Sequence, residues 1–267
     1  MFAITGLIVP SGYFRVNTRI ASKGDHPGNA KTTPGHHAST KGRLERGGVP
    51  RWSSVEITRS REIWLNVTPV TLTGARAKVI PMEASHAEAL YQAGGSPEIW
   101  PYMPMWPKTP DDMRRLVREA LAARDKGGEF PFVIVDQQTG RIVGSTRFLE
   151  ITPAHRGIEI GWTWLAREAW RTPINTECKY LLLKHCFETL GAIRVQLKTD
   201  ARNIRSQQAI ERIGGVREGV LRHHRIMPDG YLRDSVYYSI LLEEWPPVKA
   251  RLEAILGKDV PGQVTAR

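Results

Sequence analysis

A chain of 267 residues, 41% hydrophobic and 24% charged, can bury one sizeable core and carry an extension, and no apolar run approaches the length that crosses a bilayer. The formal charge of +11 does not by itself demand a nucleic-acid partner, because residues 1–66 carry 10 Lys/Arg against 4 Asp/Glu and hold over half of the excess. Cys178 and Cys186 stand eight apart on one expected helix, about 12 Å along its axis, too far to bridge, which fits a reducing, cytoplasmic location.

Residues 1–66 mix Gly, Ser, Thr, His and scattered Arg without sustained periodicity, a composition that predicts a disordered basic extension. Its shortage of acids also suits a transit peptide; a start site placed too far upstream is the simpler account. The pair His36-His37 has no second ligand cluster at metal-site spacing, so no metal is expected.

A domain is expected over 67–257, with a frayed tail at 258–267. Val70–Ile80 supplies an opening strand, and Ser85-His-Ala-Glu88 has the form of a capping box for a short helix through Ala93. Trp100-Pro-Tyr-Met-Pro-Met-Trp-Pro107 cannot be regular; it is either a loop packed on the core or a lid over a pocket. Thr109-Pro-Asp-Asp112 starts a helix that runs to about Lys126. Phe130–Asp136 and Ile142–Leu149 flank Gln137–Gly140 as a hairpin.

In Gly157–Leu165, Ile158, Ile160, Trp162 and Trp164 alternate with Glu159, Gly161 and Thr163, the pattern of a half-buried strand with Glu159 turned away from the apolar face. Trp170-Arg-Thr-Pro-Ile-Asn-Thr176 then leads into a helix over Cys178–Leu190, stopped by Gly191, whose N-terminus suits an anion, with Arg167 and Arg171 adding charge. Arg194–Asp200 is a second strand. Asn203 caps a helix through Ile213, Val216–Ile226 and Tyr231–Leu242 form a hairpin around Pro228-Asp-Gly230, and a last helix starts at Glu244 and runs through Leu256.

Glu159-Ile-Gly, the turn before Thr176-Glu177, Arg194-Val, Asn203-x-x-Ser206, Glu218-Gly-Val-Leu-Arg222 and Ser239-Ile-Leu-x-x-Glu-Trp245 together resemble GNAT-superfamily N-acetyltransferases of the RimJ/RimL type. The resemblance covers roughly residues 70 to 256. It implies an α+β fold in a single domain: a mixed, mostly antiparallel sheet, splayed at its centre and flanked by helices. Acetyl-CoA would enter the splay, its pantetheine pairing with the backbone of Thr163, Trp164 and Leu165 and its pyrophosphate lying on Trp170, Arg171, Thr172, Pro173, Ile174, Asn175 and Thr176. The superfamily's Gln/Arg-x-x-Gly-x-Gly/Ala pattern is replaced here by Trp170, Pro173 and Asn175, and Pro173 has no N–H to give.

Acetyl transfer to an amine needs a base, a polarised carbonyl and a proton for the leaving thiolate. By resemblance Glu159 is the base and Ser206 the acid; the plain alternatives are a surface carboxylate and a cap-supporting serine. Asn203 either holds a pantetheine amide or caps its helix. His223 and His224 are alternative bases, of which one can face the cleft. Cys178 and Cys186 are expected to be packing. The implied reaction passes acetyl directly to a primary amine, on a protein N-terminus or a small molecule, in a monomer or homodimer with no membrane or nucleic-acid partner; a non-catalytic acyl-CoA-binding module of the same fold is the alternative.

Overall fold

In the computed structural model, residues 65–258 are described. The extension expected over 1–66 and the tail over 258–267 fall almost wholly outside them. An eight-stranded sheet organises the rest, in the order β1-β2-β3-β4-β5-β6-β8-β7. The strands are β1 (Leu72–Thr73), β2 (Ala77–Pro81), β3 (Glu129–Asp136), β4 (Arg141–Thr152), β5 (Gly157–Leu165), β6 (Arg194–Asp200), β7 (Val216–Ile226) and β8 (Leu232–Leu241). Every neighbouring pair is antiparallel except β5 and β6, which run parallel. The single opening strand expected from sequence is thus a short hairpin.

Five helices accompany the sheet: α1 (Ala87–Ala93), α2 (Pro110–Asp125), α3 (Ile174–Lys184), α4 (Ile204–Arg212) and α5 (Trp245–Lys258). Thr109 caps α2 as its sequence demands, accepting from Asp112 N at 3.1 Å while Asp112 reaches back to Thr109 N at 3.0 Å. The box expected at Ser85 does not form. A 3-10 turn, Ala84–His86, precedes α1, and Glu83 N donates to His86 Nδ1 at 3.0 Å, moving the cap two residues back.

Helix α3 begins four residues earlier than expected, with Pro173 at its cap, and ends in a π-helical turn over His185–Thr189. Proline is pre-set for a helix start, since its φ of −62° is helical and its missing N–H would have had no helical acceptor. Phe132 meets Phe148 edge to face, and Phe148 stacks on His185 at the end of α3, whereas Trp164 meets Trp100 with ring centroids 5.1 Å apart. The loop after Trp100 is packed down by that indole together with Met103 and Met105, and Trp106 stays exposed. Among the described residues no helix is long and apolar enough to cross a membrane.

Candidate functional site

Strands β5 and β6 pair over only three rows, Gly157 with Arg194, Ile158 with Val195 and Glu159 with Gln196, and then part. Beyond Glu159 one side of β5 is open. A bulge sharpens the break: between the rows Arg147–Gly161 and Ser145–Trp164, two β5 residues oppose one on β4, and Trp162 takes a φ of +51°. Strict alternation therefore fails after Gly161. Ile158 and Ile160 keep the α3 side, but Trp164 comes over to the side of Glu159, contrary to the expectation of four large apolar residues on one face. Trp162 lies under the Arg147 guanidinium at 4.3 Å.

Glu159 does turn away from Ile158 and Ile160, yet it is not a surface carboxylate: it is 1% exposed. Its Oε2 accepts from Gln196 Nε2 at 2.8 Å and pairs with Lys198 Nζ at 2.9 Å, and Lys198 bridges on to Glu150 at 2.7 Å. Oε1 points into space left by Gly161, where a Cβ would stand 2.9 Å from it. Burial holds the Glu159 carboxyl above the usual carboxylate range, and Lys198 opposes the rise. A buried carboxylate with one oxygen held and the other free is the arrangement a general base needs.

Asn203 caps α4 as expected, its Oδ1 accepting from Ser206 N at 3.0 Å, which leaves the amide nitrogen for a ligand. Ser206 is half-buried in the first turn, past the end of β6 where the two strands have separated. Glu159 thus stands at the last row that joins the two strands, and Ser206 past the point where they separate.

The anion-binding turn is built differently from the sequence expectation. Ile174 and Thr176 bury their side chains, so these two can offer a ligand only first-turn N–H groups, while Asn175 is half-buried; Ile174 N already makes a long contact to Thr172 Oγ1 at 3.4 Å. Thr172 Oγ1 donates to Ala169 O at 2.8 Å, and Trp170 Nε1 to Leu165 O at 2.8 Å, occupying one of the carbonyls expected to meet pantetheine. Arg171 is exposed with a φ of +60°. Arg167 is engaged with Glu98 at 3.0 Å, and the second cation over the turn is Arg205, stacked on Trp170 at 3.9 Å.

Of the two histidines, His223 sits exposed in a β7 bulge with φ +49°, and His224 faces the Glu159 side, within reach of Ser235 Oγ at 3.0 Å and Tyr237 OH at 3.2 Å. Burial, then Lys198, Arg225 and Arg233, keep the His224 imidazole below its usual value. Both thiols are buried; burial pushes Cys178 up to about 12 and Cys186 up as well, so neither is a ready nucleophile. Among the described residues no group of three His, Cys, Asp or Glu side chains could hold a metal.

Three residues here escaped sequence reasoning. Gln196 and Lys198 alternate along β6 and so could have been placed on one face, but their meeting with Glu159 depends on the β5–β6 register. Lys179 is buried on α3, donating to Thr163 Oγ1 at 2.6 Å behind the bulge, and burial pushes its ammonium down to about 8. A lone lysine in the apolar stripe of α3 was the available signal.

The Acetyltransferase (GNAT) domain profile matches residues 76–216, more than half of the chain. The chain belongs to the GNAT acetyltransferases. A candidate acetyltransferase from T. thermophilus is 40% identical, with a TM-score of 0.65 over 71% of this chain and 98% of its own. The ribosomal-protein-serine acetyltransferase of Escherichia coli (strain K12) is 24% identical over 161 residues, 59% of this chain and 88% of that protein. The structure of Mycobacterium smegmatis RimJ in complex with CoA-disulfide shares the fold at a TM-score of 0.63 and 24% identity, over 71% of this chain and 95% of that one. The splayed, mostly antiparallel sheet is the fold expected for the family.

Proposed function

We propose that this GNAT enzyme passes acetyl from acetyl-CoA directly to the primary amine of a protein N-terminus, both substrates being held together in the β5–β6 cleft. The observation that carries the reading is the buried Glu159, standing at the last paired row of two parting strands with Oε1 free. The naming of one relative as a ribosomal-protein-serine acetyltransferase favours a protein acceptor over a small amine.

The chain has the groups such a cosubstrate requires. Open β5 backbone at Thr163 and Trp164, next to the Leu165 carbonyl that Trp170 already holds, suits an arm that adds like another strand. First-turn N–H groups of Asn175 and Thr176, with Arg171 and Arg205, suit a pyrophosphate despite the donor missing at Pro173. Acetyl-CoA, when bound, supplies the activated acetyl group. Glu159 takes the proton that the incoming ammonium must lose, Gln196 and Lys198 hold its other oxygen, and Ser206 passes its hydroxyl proton to the leaving sulfur and is reprotonated by the second proton that the nitrogen sheds as the amide forms. Asn203 orients Ser206 through the cap. Two buried thiols suit a cytoplasmic setting.

The test is calorimetric titration of acetyl-CoA into the full chain, followed by turnover on peptides with free N-termini. Micromolar binding and turnover that falls at least a hundredfold in Glu159→Gln, with affinity kept, are expected. Binding without turnover on any amine would select the non-catalytic module instead, and no binding would overturn the reading.

A further inference from the structure

On the Glu159 side of the sheet, past Tyr237 and Ser235, Arg225 of β7 and Arg233 of β8 are register partners. Two like charges directly opposite each other on neighbouring strands destabilise a sheet. Arg233 is moreover 7% exposed, and its Nε meets no hydrogen-bond partner. Among the described residues neither guanidinium forms an ion pair. The carboxylates nearby are already engaged: Asp200 with Arg202 at 2.9 Å, Glu159 and Glu150 with Lys198. Burial, with Arg225 adding to it, makes the charge on Arg233 costly, and the attraction of Asp200 and Glu159 does not make up the difference.

This juxtaposition is made by a local device. Between the rows Leu221–Ser235 and Arg225–Arg233, β7 carries a bulge with His223 in the left-handed region and His223 N tied to Asp234 Oδ1 at 2.7 Å. The bulge swings His224 and Arg225 together onto the Glu159 face. Arg202, the partner of Asp200, stacks on Tyr231 at 3.4 Å and lies 5.7 Å from Tyr102 of the loop after Trp100. An arginine pair that destabilises the sheet, on the same face as the proposed base and within its electrostatic reach, suits a planar anion held by two forks.

We propose that Arg225 and Arg233 form a carboxylate-recognition subsite, so that the preferred acceptor is an amine with a carboxylate close to it. The inference rests on the reading of Glu159 as base at the acceptor amine. The carboxylate comes either from an acidic side chain at a peptide N-terminus or from the α-carboxylate of a free amino acid.

Calorimetry on the full chain with CoA present separates these sources without needing turnover. Glu-Ala-Ala-amide is compared with Gln-Ala-Ala-amide, and alanine with alaninamide. At least tenfold tighter binding of the acidic member of one pair is expected, and the pair that shows it identifies the source. Equal binding within both pairs overturns the proposal. In Arg233→Met, and independently in Arg225→Gln should the first fold poorly, the preference should vanish while acetyl-CoA affinity is kept; a preference that persists in both variants places the anion elsewhere. Arg225→Gln should also raise the melting temperature of the ligand-free protein, whereas a purely structural arginine would lower it. Acid preference without acetyl transfer would leave the subsite standing and reject the proposed function.

Discussion

Glu159 pays for its position with a raised pKa, and Lys198 sets by how much. A base works only when deprotonated, so kcat/KM should fall on the acid side as pH drops through that raised value, above the range of an ordinary carboxylate. Lys198 favours the charged carboxylate. Lys198→Met should therefore lift the Glu159 pKa further and move the acid limb of the pH–rate profile to higher pH by about one unit; an unmoved limb would mean that another group takes the proton. Lys179 poses the opposite problem. Its folded value of about 8 lies below the usual 10.5, so the fold bears the cost of its charge fully below pH 8, progressively less up to 10.5, and not at all above that. Lys179→Met keeps the length and drops the charge. It should stabilise the protein by about 1–2 kcal/mol at pH 7, read by urea unfolding, with the gain fading toward pH 10.

At the scale of elements, the strands and helices were legible wherever local chemistry decides. Thr109-Pro-Asp-Asp112 fixes the start of α2, Asp-Gly fixes the β7–β8 turn, and Asn203 caps α4, because each signal acts within four residues. The bulges at Trp162 and His223 were not legible. Trp162 and His223 hold positive φ values that are uncommon for any residue but glycine, and the pairing of the neighbouring strands imposes them. Each bulge reassigns the faces of the residues after it, which is why Trp164 was expected on the wrong side and Arg225 was overlooked. Glu177 shows the same limit in a helix. Its sequence position marks α3, but its carboxylate accepts from the N–H groups of Ala75, Arg76 and Ala77 at 2.7, 2.7 and 2.5 Å, a hundred residues away. Gly74 leaves room for that carboxylate, where a side chain would collide. Glu177→Ala orphans three N–H groups at the β1–β2 turn and should cost about 3 kcal/mol, read as a lowered urea midpoint. A loss within a few tenths would show that water replaces the carboxylate without penalty.

The described residues form one sheet held across its middle by three rows. On one side stand β1 to β5, on the other β6 to β8, and helical contacts close the core near the paired end: Trp245 of α5 stacks on Phe187 at 5.3 Å, and Lys249 pairs with Glu188 at 2.8 Å. Such a construction leaves β5 with edge backbone facing a gap, which local opening exposes to solvent exchange. A ligand that joins β5 as a strand would satisfy those groups and clamp both halves at once. Acetyl-CoA at a hundred times its Kd contributes about 2.7 kcal/mol to the folded state, which for a domain of this size raises the melting temperature by about 5–10 °C. The location of the effect is the sharper test. Hydrogen exchange should slow at the amides of residues 160–165 and at the start of α3, and should change little in β2 and β3, which are paired on both sides already. Uniform slowing across the sheet would mean that the ligand stabilises the fold from some other surface, and the strand-addition geometry for pantetheine would have to be abandoned.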